Sequence, residues 1–390
     1  MLAQLRFSHV IAGVVAVLVG YAGSAAIIFQ ASLAAGATAG QASSWMLALG
    51  LGCAATSTYL SLRHRMPLLT AWSTPGAAVL VVALPGTPLD QAIGAFMLCG
   101  FLLWLTGISG LFERITQAIP DSLSNAMLAG VLFQFGLGVF QAAPTEPVFV
   151  AAMFAVFFVA RRLAPRMAVP LVLILGVSSM VFAGEFSSMD MDAFRIAWPE
   201  FVMPIFDLHT LIGVGLPLYV VTMSSQNMAG VAVLRGNGYQ PPVSSALTAT
   251  GAATLVLAPF GGFAFNLAAI TAAICAAPEA GADPKARFWA PVFSALMYLA
   301  FGIFGTAVIS FFLAAPQVLV VVLAGLALLP TIATSLSAAL AEPSAREASL
   351  VTFLTTLSGL SILGISAPVW GLVFGGFVWM LLRPKQNTHP

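Results

Sequence analysis

Two short stretches of the chain carry the signal for a helix that begins inside an apolar region. In the first, Ser73 or Thr74 can accept hydrogen bonds as an N-cap, and Pro75 suits the first helical position because it has no N–H to lose. In the second, Asn266 is a good N-cap, and only a short apolar run follows it. At the centre of a membrane, free N–H groups are tolerated only where they line a cavity or meet a ligand.

The chemistry that these helix starts predict is the binding of a negatively charged group. A helix N-terminus carries roughly half a positive charge from the helix dipole, together with free N–H donors. Two such ends can hold an anion or an electron-rich group without any Lys or Arg. The alternative is that Pro75 is an ordinary kink and that Asn266 makes a helix–helix hydrogen bond.

A third polar group is the run T-M-S-S-Q-N at 222–227. Within it Gln226 can both donate and accept hydrogen bonds, so it can orient a carboxylate or a carbonyl. The alternative is that Gln226 joins neighbouring helices.

Three aromatic side chains are candidates for contact with a ligand ring. Phe263 and Phe265 flank Asn266 and can provide an apolar wall, although the chain contains 29 Phe. Tyr21 is a further candidate, but packing is the commoner role for such a residue.

Composition places the whole chain in a membrane. Of its 390 residues 60% are hydrophobic and 7% are charged, whereas soluble proteins carry about 25% charged residues. The net charge of +1 gives no indication of nucleic-acid binding. Cys53, Cys99 and Cys275 lie in apolar runs without a CxxC motif or a Cys/His cluster, so disulfides, structural zinc and other cofactors are not expected.

Clusters of basic residues divide the apolar sequence into seven intervals, each long enough for two spanning helices of about 20 residues. Fourteen spans leave every Lys and Arg except Arg195 on one side. The positive-inside rule makes that side cytoplasmic, together with both termini. The predicted spans are 7–34, 43–62, 67–84, 89–112, 121–141, 146–163, 168–184, 209–234, 242–260, 263–277, 286–313, 317–341, 346–364 and 367–382.

The acidic segment 185–208 is predicted to be a solvated outer connection between two sets of seven spans. An odd number of spans inserts the second half upside down relative to the first, as in the inverted repeats of many transporters. The two helix starts fall in the third span of each half. The helix from Pro75 then runs outward from the membrane centre, the helix from Asn266 runs inward, and their N-termini face each other.

Three motifs carry a resemblance to a known family: G-L-P-L-Y-V-V-T-M-S-S-Q-N-M-A-G-V-A-V-L-R at 215–235, A-W-S-T-P-G-A-A at 71–78, and F-N-L-A-A-I-T-A-A-I-C-A-A-P-E-A at 265–280. They resemble the BenE family, the benzoate:proton symporters of bacteria, and the resemblance covers essentially the whole chain. It implies an all-α inner-membrane protein with the fold of uracil/xanthine transporters and sulfate-type anion transporters.

The resemblance also implies how the seven plus seven inverted spans are grouped. Residues 1–112 and 209–313 would form a core domain and residues 113–184 and 314–384 a gate domain, with 185–208 as the outer loop and 385–390 as a cytoplasmic tail. Spans three and ten would each combine a short strand with a half-helix. This fold often dimerises through the gate domain, but the sequence is silent on oligomeric state.

Two positions differ from the nucleobase carriers of the same fold. Those carriers have a substrate-binding acid where Gln226 stands, and another acid just before an Asn, where this chain has Phe265 before Asn266. An amide and an aromatic ring in place of two acids remove repulsion toward a carboxylate and add apolar surface. That is the change that an aromatic acid requires.

The leading hypothesis is a secondary transporter that imports benzoate or a similar aromatic carboxylate together with protons, by movement of the core domain against the gate domain. The carboxylate would lie between the two N-termini, with amide side chains as further donors. The residues predicted for these roles are Thr74, Pro75, Gly76, Asn266, Leu267 and Ala268 at the N-termini, Gln226 and Asn227 as donors, and Tyr21, Phe263 and Phe265 around the ring.

Two alternatives remain, and proton coupling is the least supported element. An uncoupled or channel-like anion pathway of the same fold is one alternative. A membrane-embedded enzyme is the weaker one, because no buried catalytic acid, metal cluster or nucleophile–base pair is visible. No Asp, Glu, Lys or Arg lies clearly within a span, so a relay through buried acids is not available. The proton would travel on the substrate itself, or use His9 or a loop carboxylate.

Overall fold

The computed structural model describes residues 6–112, 120–184, 194–363 and 365–382. Helices in the first half of the chain are α1 (Phe7–Ala34), α2 (Ala39–His64), α3 (Thr74–Ala83), α4 (Leu89–Ser109), α5 (Asp121–Ala142), α6 (Pro147–Leu163) and α7 (Ala168–Ala183). Those in the second half are α8 (Leu208–Gly236), α9 (Val243–Leu257), α10 (Ile270–Ala276), α11 (Trp289–Ile303), α12 (Gly305–Ala314), α13 (Gln317–Ala339), α14 (Arg346–Leu357) and α15 (Ala367–Leu382). Two short strands complete the fold, β1 (Thr70–Trp72) and β2 (Phe265–Leu267).

Seven helical segments of the described chain are long and apolar enough to cross a membrane. Helix α1 makes an eighth if its two arms, Phe7–Tyr21 and Ser24–Ala34, which meet at a bend of 43°, count as one span. This confirms the polytopic membrane class. Most helix bounds fall within a few residues of the predicted spans, while the count of fourteen crossings and their inverted repeat stay predictions.

The predicted span 286–313 comprises two helices. It is divided into α11 and α12 at Phe304, which leaves helical geometry at φ −89° and ψ 24°. Gly302 and Gly305 flank this break, and both lie directly against α2. Glycine is a poor helix former, so the chain can turn here while keeping that close approach.

The two strands pair with each other in antiparallel register, with Ala71 opposite Asn266 at the centre of the pair. The predicted combination of a strand and a short helix is therefore present in both half-chains. Because the strands are antiparallel, α3 and α10 leave the pair at opposite ends. The chain enters β2 through Gly261, whose φ of +89° favours glycine and whose Cα lies against the ring of Trp45.

One face of the strand pair packs into the protein core. Directly opposite residues of antiparallel strands project to the same side, so Trp72 and Phe265 share this face. The indole N–H of Trp72 donates to the Ser24 hydroxyl on α1 at 3.0 Å. Thr70 bonds two hydroxyls of α2, and the Phe265 ring lies against Gly52 of α2. The opposite face carries Ala71 and Asn266.

We expect Gly52→Ala to destabilise the protein, because the added methyl group would overlap the Phe265 ring. Overpacking of this kind costs roughly 1–3 kcal/mol. Thermal unfolding in detergent without substrate measures the effect. Gly376→Ala on α15 is the matched control, since a methyl group there meets no other atom within 4 Å. Equal melting temperatures for the two variants would contradict the tight packing of β2 on α2.

Candidate substrate site

The N-terminus of α3 is capped by Ser73, one of the two predicted cap residues. The Ser73 hydroxyl accepts from the N–H of Gly76 at 3.0 Å, and its carbonyl accepts from Ala77 at 2.8 Å. Pro75 has no N–H, so the donor left at this helix end is the N–H of Thr74, which has no partner among the described residues. Helix α3 therefore offers one free backbone donor.

The predicted N-cap role of Asn266 is wrong. Helix α10 begins at Ile270 and is preceded by Ala269, whereas Asn266 lies in the middle of β2. Pairing with β1 keeps the backbone extended at this residue. Its amide nitrogen donates instead to the carbonyl of Ala264 at 3.0 Å, while its amide oxygen is buried without a partner.

Helix α8 contains a π-helical segment from Thr222 to Asn227, the polar run identified in the sequence. Such segments occur often at functional sites. The hydroxyls of Ser224 and Ser225 bond carbonyls of their own helix at 2.8 and 2.6 Å. The Thr222 hydroxyl is buried without a partner, and half-buried Gln226 makes no hydrogen bond to a described residue.

Asn227 joins α8 to the strand pair. Its amide oxygen accepts from the N–H of Leu267 at 3.0 Å, and its amide nitrogen donates to the carbonyl of Thr222 at 3.2 Å. The side chain that was predicted to be a ligand donor is thus used within the protein. It holds the π segment against β2.

The π segment contacts both β2 and α3, so the three parts of the predicted site lie side by side. A Cβ at Gly76 would lie 2.7 Å from Cδ1 of Leu218 on α8, and a Cβ at Gly230 would lie 2.8 Å from Cβ of Leu267. Ala268 is fixed by donation of its N–H to the carbonyl of Leu69 at 2.9 Å. The groups around this junction that lack a partner among the described residues are the N–H of Thr74, the side chains of Thr222 and Gln226, and the amide oxygen of Asn266.

Residues 3–381 match the BenE family, which is described as benzoate membrane transport protein. The chain belongs to the BenE family. It is 44% identical over 373 residues to the inner membrane protein YdcO of Escherichia coli K12, covering 96% of this chain and 95% of that one. It is 37% identical over 381 residues to a benzoate membrane transport protein of Acinetobacter baylyi, covering 97% and 96%.

Solved structures show that this BenE-family chain has an anion-transporter fold. The transmembrane domain of the cyanobacterial bicarbonate transporter BicA is 15% identical, with a TM-score of 0.59 and 98% of each chain covered. The structure of SLC26A9 is 14% identical, with a TM-score of 0.64, covering 98% of this chain and 66% of that one. Family and fold neighbours are transporters, so the chain is a membrane transporter and not an enzyme.

The aromatic residues predicted to surround the ligand are placed mainly in the packed core. Phe263 and Phe265 are fully buried, the first beside Trp45 and Phe96 and the second against α2. By strand alternation Phe265 projects away from the face that carries Asn266. Tyr21 stacks on Phe301 at 4.4 Å between ring centroids, and its hydroxyl is buried without a partner.

Thr222 is the residue that sequence reasoning missed as a site candidate. It lies four residues before Gln226, so the two side chains lie on one side of the helix. That spacing was the available signal, although a threonine hydroxyl in a helix usually bonds its own backbone. Ser224 and Ser225 do so in the same segment, and Thr222 does not.

The protein contributes no charged side chain to the candidate site. Neither the strand pair, nor α3, nor the π segment contains an Asp, Glu, Lys, Arg or His. No group of three or more His, Cys, Asp or Glu in the described part of the chain could hold a metal ion. Favourable potential for an anion therefore comes from the dipole of α3 and from hydrogen-bond donors.

A cap outside the membrane fixes the start of α8. The Asp207 carboxylate accepts from the backbone N–H of Thr210 at 2.9 Å and from its hydroxyl. These hydrogen bonds, the backbone one first, lower the pKa of Asp207 below its usual value. The helix that carries the π segment thus begins at a defined residue.

An apolar cavity of about 540 Å³ lies between α4, α8 and α15 and shares no residue with the predicted site. Tyr219 and Thr106 in its wall bond each other at 2.8 Å, so their hydroxyls are already paired. The cavity can accept an apolar group, but it offers little to orient a carboxylate.

We expect Asn227→Ala to lower stability even without substrate, because it leaves the N–H of Leu267 buried and unpaired. An unsatisfied buried donor costs roughly 1–3 kcal/mol. Thermal unfolding in detergent measures this, and Asn125→Ala on α5 is the control, since that amide bonds the carbonyl of Asp121 at a more accessible position. If both variants melt alike, Asn227 does not hold α8 to β2.

Proposed function

We propose that this BenE-family transporter imports benzoate or a similar aromatic carboxylate by alternating access. The observation that carries the proposal is the junction of α3, β2 and the π segment, three elements in contact that carry polar groups without described partners and no charged side chain. The relative from Acinetobacter baylyi that is named a benzoate transport protein supports the choice of substrate class.

The carboxyl group would bind at the N-terminus of α3. The N–H of Thr74 is the backbone donor there, since Pro75 has none and the N–H of Gly76 is bonded to Ser73. The Gln226 amide and the Thr222 hydroxyl add side-chain donors. The ligand ring would extend toward apolar surface. Of the three predicted aromatic residues, Tyr21 is the one that could also bond the ligand, because its hydroxyl is still unpaired.

The packing of the helices supports a division into two moving bodies. Helix α9 packs on α4 and α11 on α2, all in the proposed core domain (1–112 and 209–313). Helix α13 packs on α5 and α14 on α15, all in the proposed gate domain (113–184 and 314–384). Helix α5 also contacts α3 and the π segment, which supports a substrate site at the boundary where relative movement would open and close it.

Fourteen spans in a seven plus seven inverted repeat are part of this proposal. The matching strand and short helix of each half-chain support it. The distribution of Lys and Arg favours cytoplasmic termini. The E. coli relative named an inner membrane protein supports the same location for this chain. Dimerisation through the gate domain stays a prediction.

An uncoupled anion pathway is the second candidate, and the uncharged site favours it. Relays in proton-coupled carriers use buried acids, and the described site has none. The two candidates differ in their response to a pH gradient.

Uptake of labelled benzoate into proteoliposomes tests the proposal, with protein-free liposomes to measure diffusion of benzoic acid through lipid. We expect saturable uptake above this background, accelerated when the outside is more acidic than the inside. Saturable uptake that ignores the gradient would favour the uncoupled pathway. Absence of any saturable component would refute import of benzoate.

We expect Gln226→Ala to weaken the apparent affinity for benzoate about fivefold, the value of one net hydrogen bond. Gln141→Ala is the matched control, because Gln141 is exposed at the end of α5 and makes no hydrogen bond to a described residue. The half-saturating benzoate concentration is measured for both. An unchanged value for Gln226→Ala would remove Gln226 from the site.

A further inference from the structure

The orientation of the Asn266 amide is fixed by its surroundings. One terminal atom lies 3.0 Å from the carbonyl oxygen of Ala264, and only the nitrogen can bond an oxygen at that distance. The oxygen Oδ1 is therefore the free atom. The residue is 0% exposed and Oδ1 has no hydrogen-bond partner. A buried acceptor without a donor is unfavourable, so this position calls for a ligand that supplies one.

An ionised carboxylate cannot supply that donor. It presents only acceptor lone pairs, which Oδ1 of Asn266 would repel. A protonated carboxyl group presents one O–H donor together with a carbonyl acceptor. Among the other groups without a described partner at the junction, the N–H of Thr74 and the side chains of Thr222 and Gln226 carry donors that a carbonyl needs. An atom that can only accept, beside groups that can donate, matches the –COOH group.

Protein side chains near Asn266 offer no substitute for the proton. The elements that pack most against β2 are β1, α2, α9 and the π segment. Their titratable or charged side chains all lie on α2, and they are Cys53, Tyr59, Arg63 and His64. Cys53 is buried, and the others lie toward the C-terminal end of α2, where His64 bonds Ser245 at 2.9 Å. None is a carboxylate.

His9 is a separate group at the start of α1. Its Nδ1 accepts from the backbone N–H of Arg6 at 3.0 Å, and its Nε2 lies against Gly281. Neither contact involves β2 or the π segment.

We infer that the site binds the aromatic acid in its protonated form, with Oδ1 of Asn266 accepting the hydrogen bond from the carboxyl O–H. One proton then crosses with each substrate molecule, and the protein needs no buried acid of its own. This inference rests on the proposed function and concerns the species bound at the same site.

Equilibrium binding to the purified protein in nanodiscs tests it, with empty nanodiscs as background. A carboxyl group has a pKa of about 4, so above that pH the neutral fraction falls about tenfold per pH unit. The half-saturating concentration of total benzoate should therefore rise about tenfold per unit between about pH 5.5 and 7.5. Benzamide has N–H donors and does not ionise in this range, so it should compete with the same affinity throughout.

Benzaldehyde supplies the donor control, because it keeps the carbonyl but has no hydrogen to give to Asn266. We expect it to compete about tenfold or more weakly than benzamide, as for a ligand that leaves a buried acceptor unpaired. Asn266→Leu should remove this preference for benzamide, whereas Asn125→Leu on α5 should keep it. If Asn266→Leu does not fold, the series of three ligands on the unmodified protein still decides.

The outcomes separate the inference from the function beneath it. Saturable benzoate binding with a constant half-saturating concentration across the pH range, or with benzaldehyde equal to benzamide, overturns the inference and leaves the proposed function in place. No saturable benzoate binding at any pH overturns both. A rise with pH together with pH-independent benzamide binding supports both.

Discussion

The main-chain hydrogen bonds of two non-helical segments are the constraint on which the centre of this molecule depends. In an apolar interior each unpaired N–H or C=O costs several kcal/mol, and β1 and β2 avoid that cost by pairing with each other. The ends of the pair are closed by three more bonds, from Ser73 to Ala264, from Ala268 to Leu69 and from Leu267 to Asn227. Satisfying the backbone therefore brings α3, α10 and the π segment of α8 to one place, and the polar groups left over there form the candidate site.

What the sequence could predict was carried by local signals. A serine two residues before a proline marks the start of α3, and clusters of Arg and Lys mark the ends of predicted spans, so neither signal depends on knowledge of contacts. The N-cap prediction for Asn266 is wrong because the cap signal is equally local. The conformation of Asn266 is set instead by pairing with Ala71, which lies far away in the chain. Asn227 differs from expectation for the same reason, since its partner Leu267 belongs to another element.

The aromatic residues show a second limit. Phe265 is next to Asn266 in the sequence, but neighbouring residues of a strand project to opposite faces. The Phe265 ring packs in the core against Gly52, where there is no side chain to exclude it. The sequence of 263–267 does not reveal that α2 has a glycine opposite the Phe265 ring. Thr222 was overlooked for a related reason. Residue type alone does not reveal whether a helical hydroxyl bonds its own backbone, since within one π segment Ser224 and Ser225 do so and Thr222 does not.

A membrane site built from uncharged groups has a physical advantage over one built from charges. A charged side chain at the bilayer centre is expensive in every conformation, including those in which no substrate is bound. Free groups such as Oδ1 of Asn266 and Oγ1 of Thr222 carry a smaller penalty, and a ligand with complementary hydrogen bonds removes it. Discrimination then comes from the match between donors and acceptors, since a ligand of the right shape that lacks one partner leaves that group unpaired. Asn266 is fixed by the strand pair, and the hydrogen bond between Asn227 and Leu267 holds the π segment that carries Thr222 against β2.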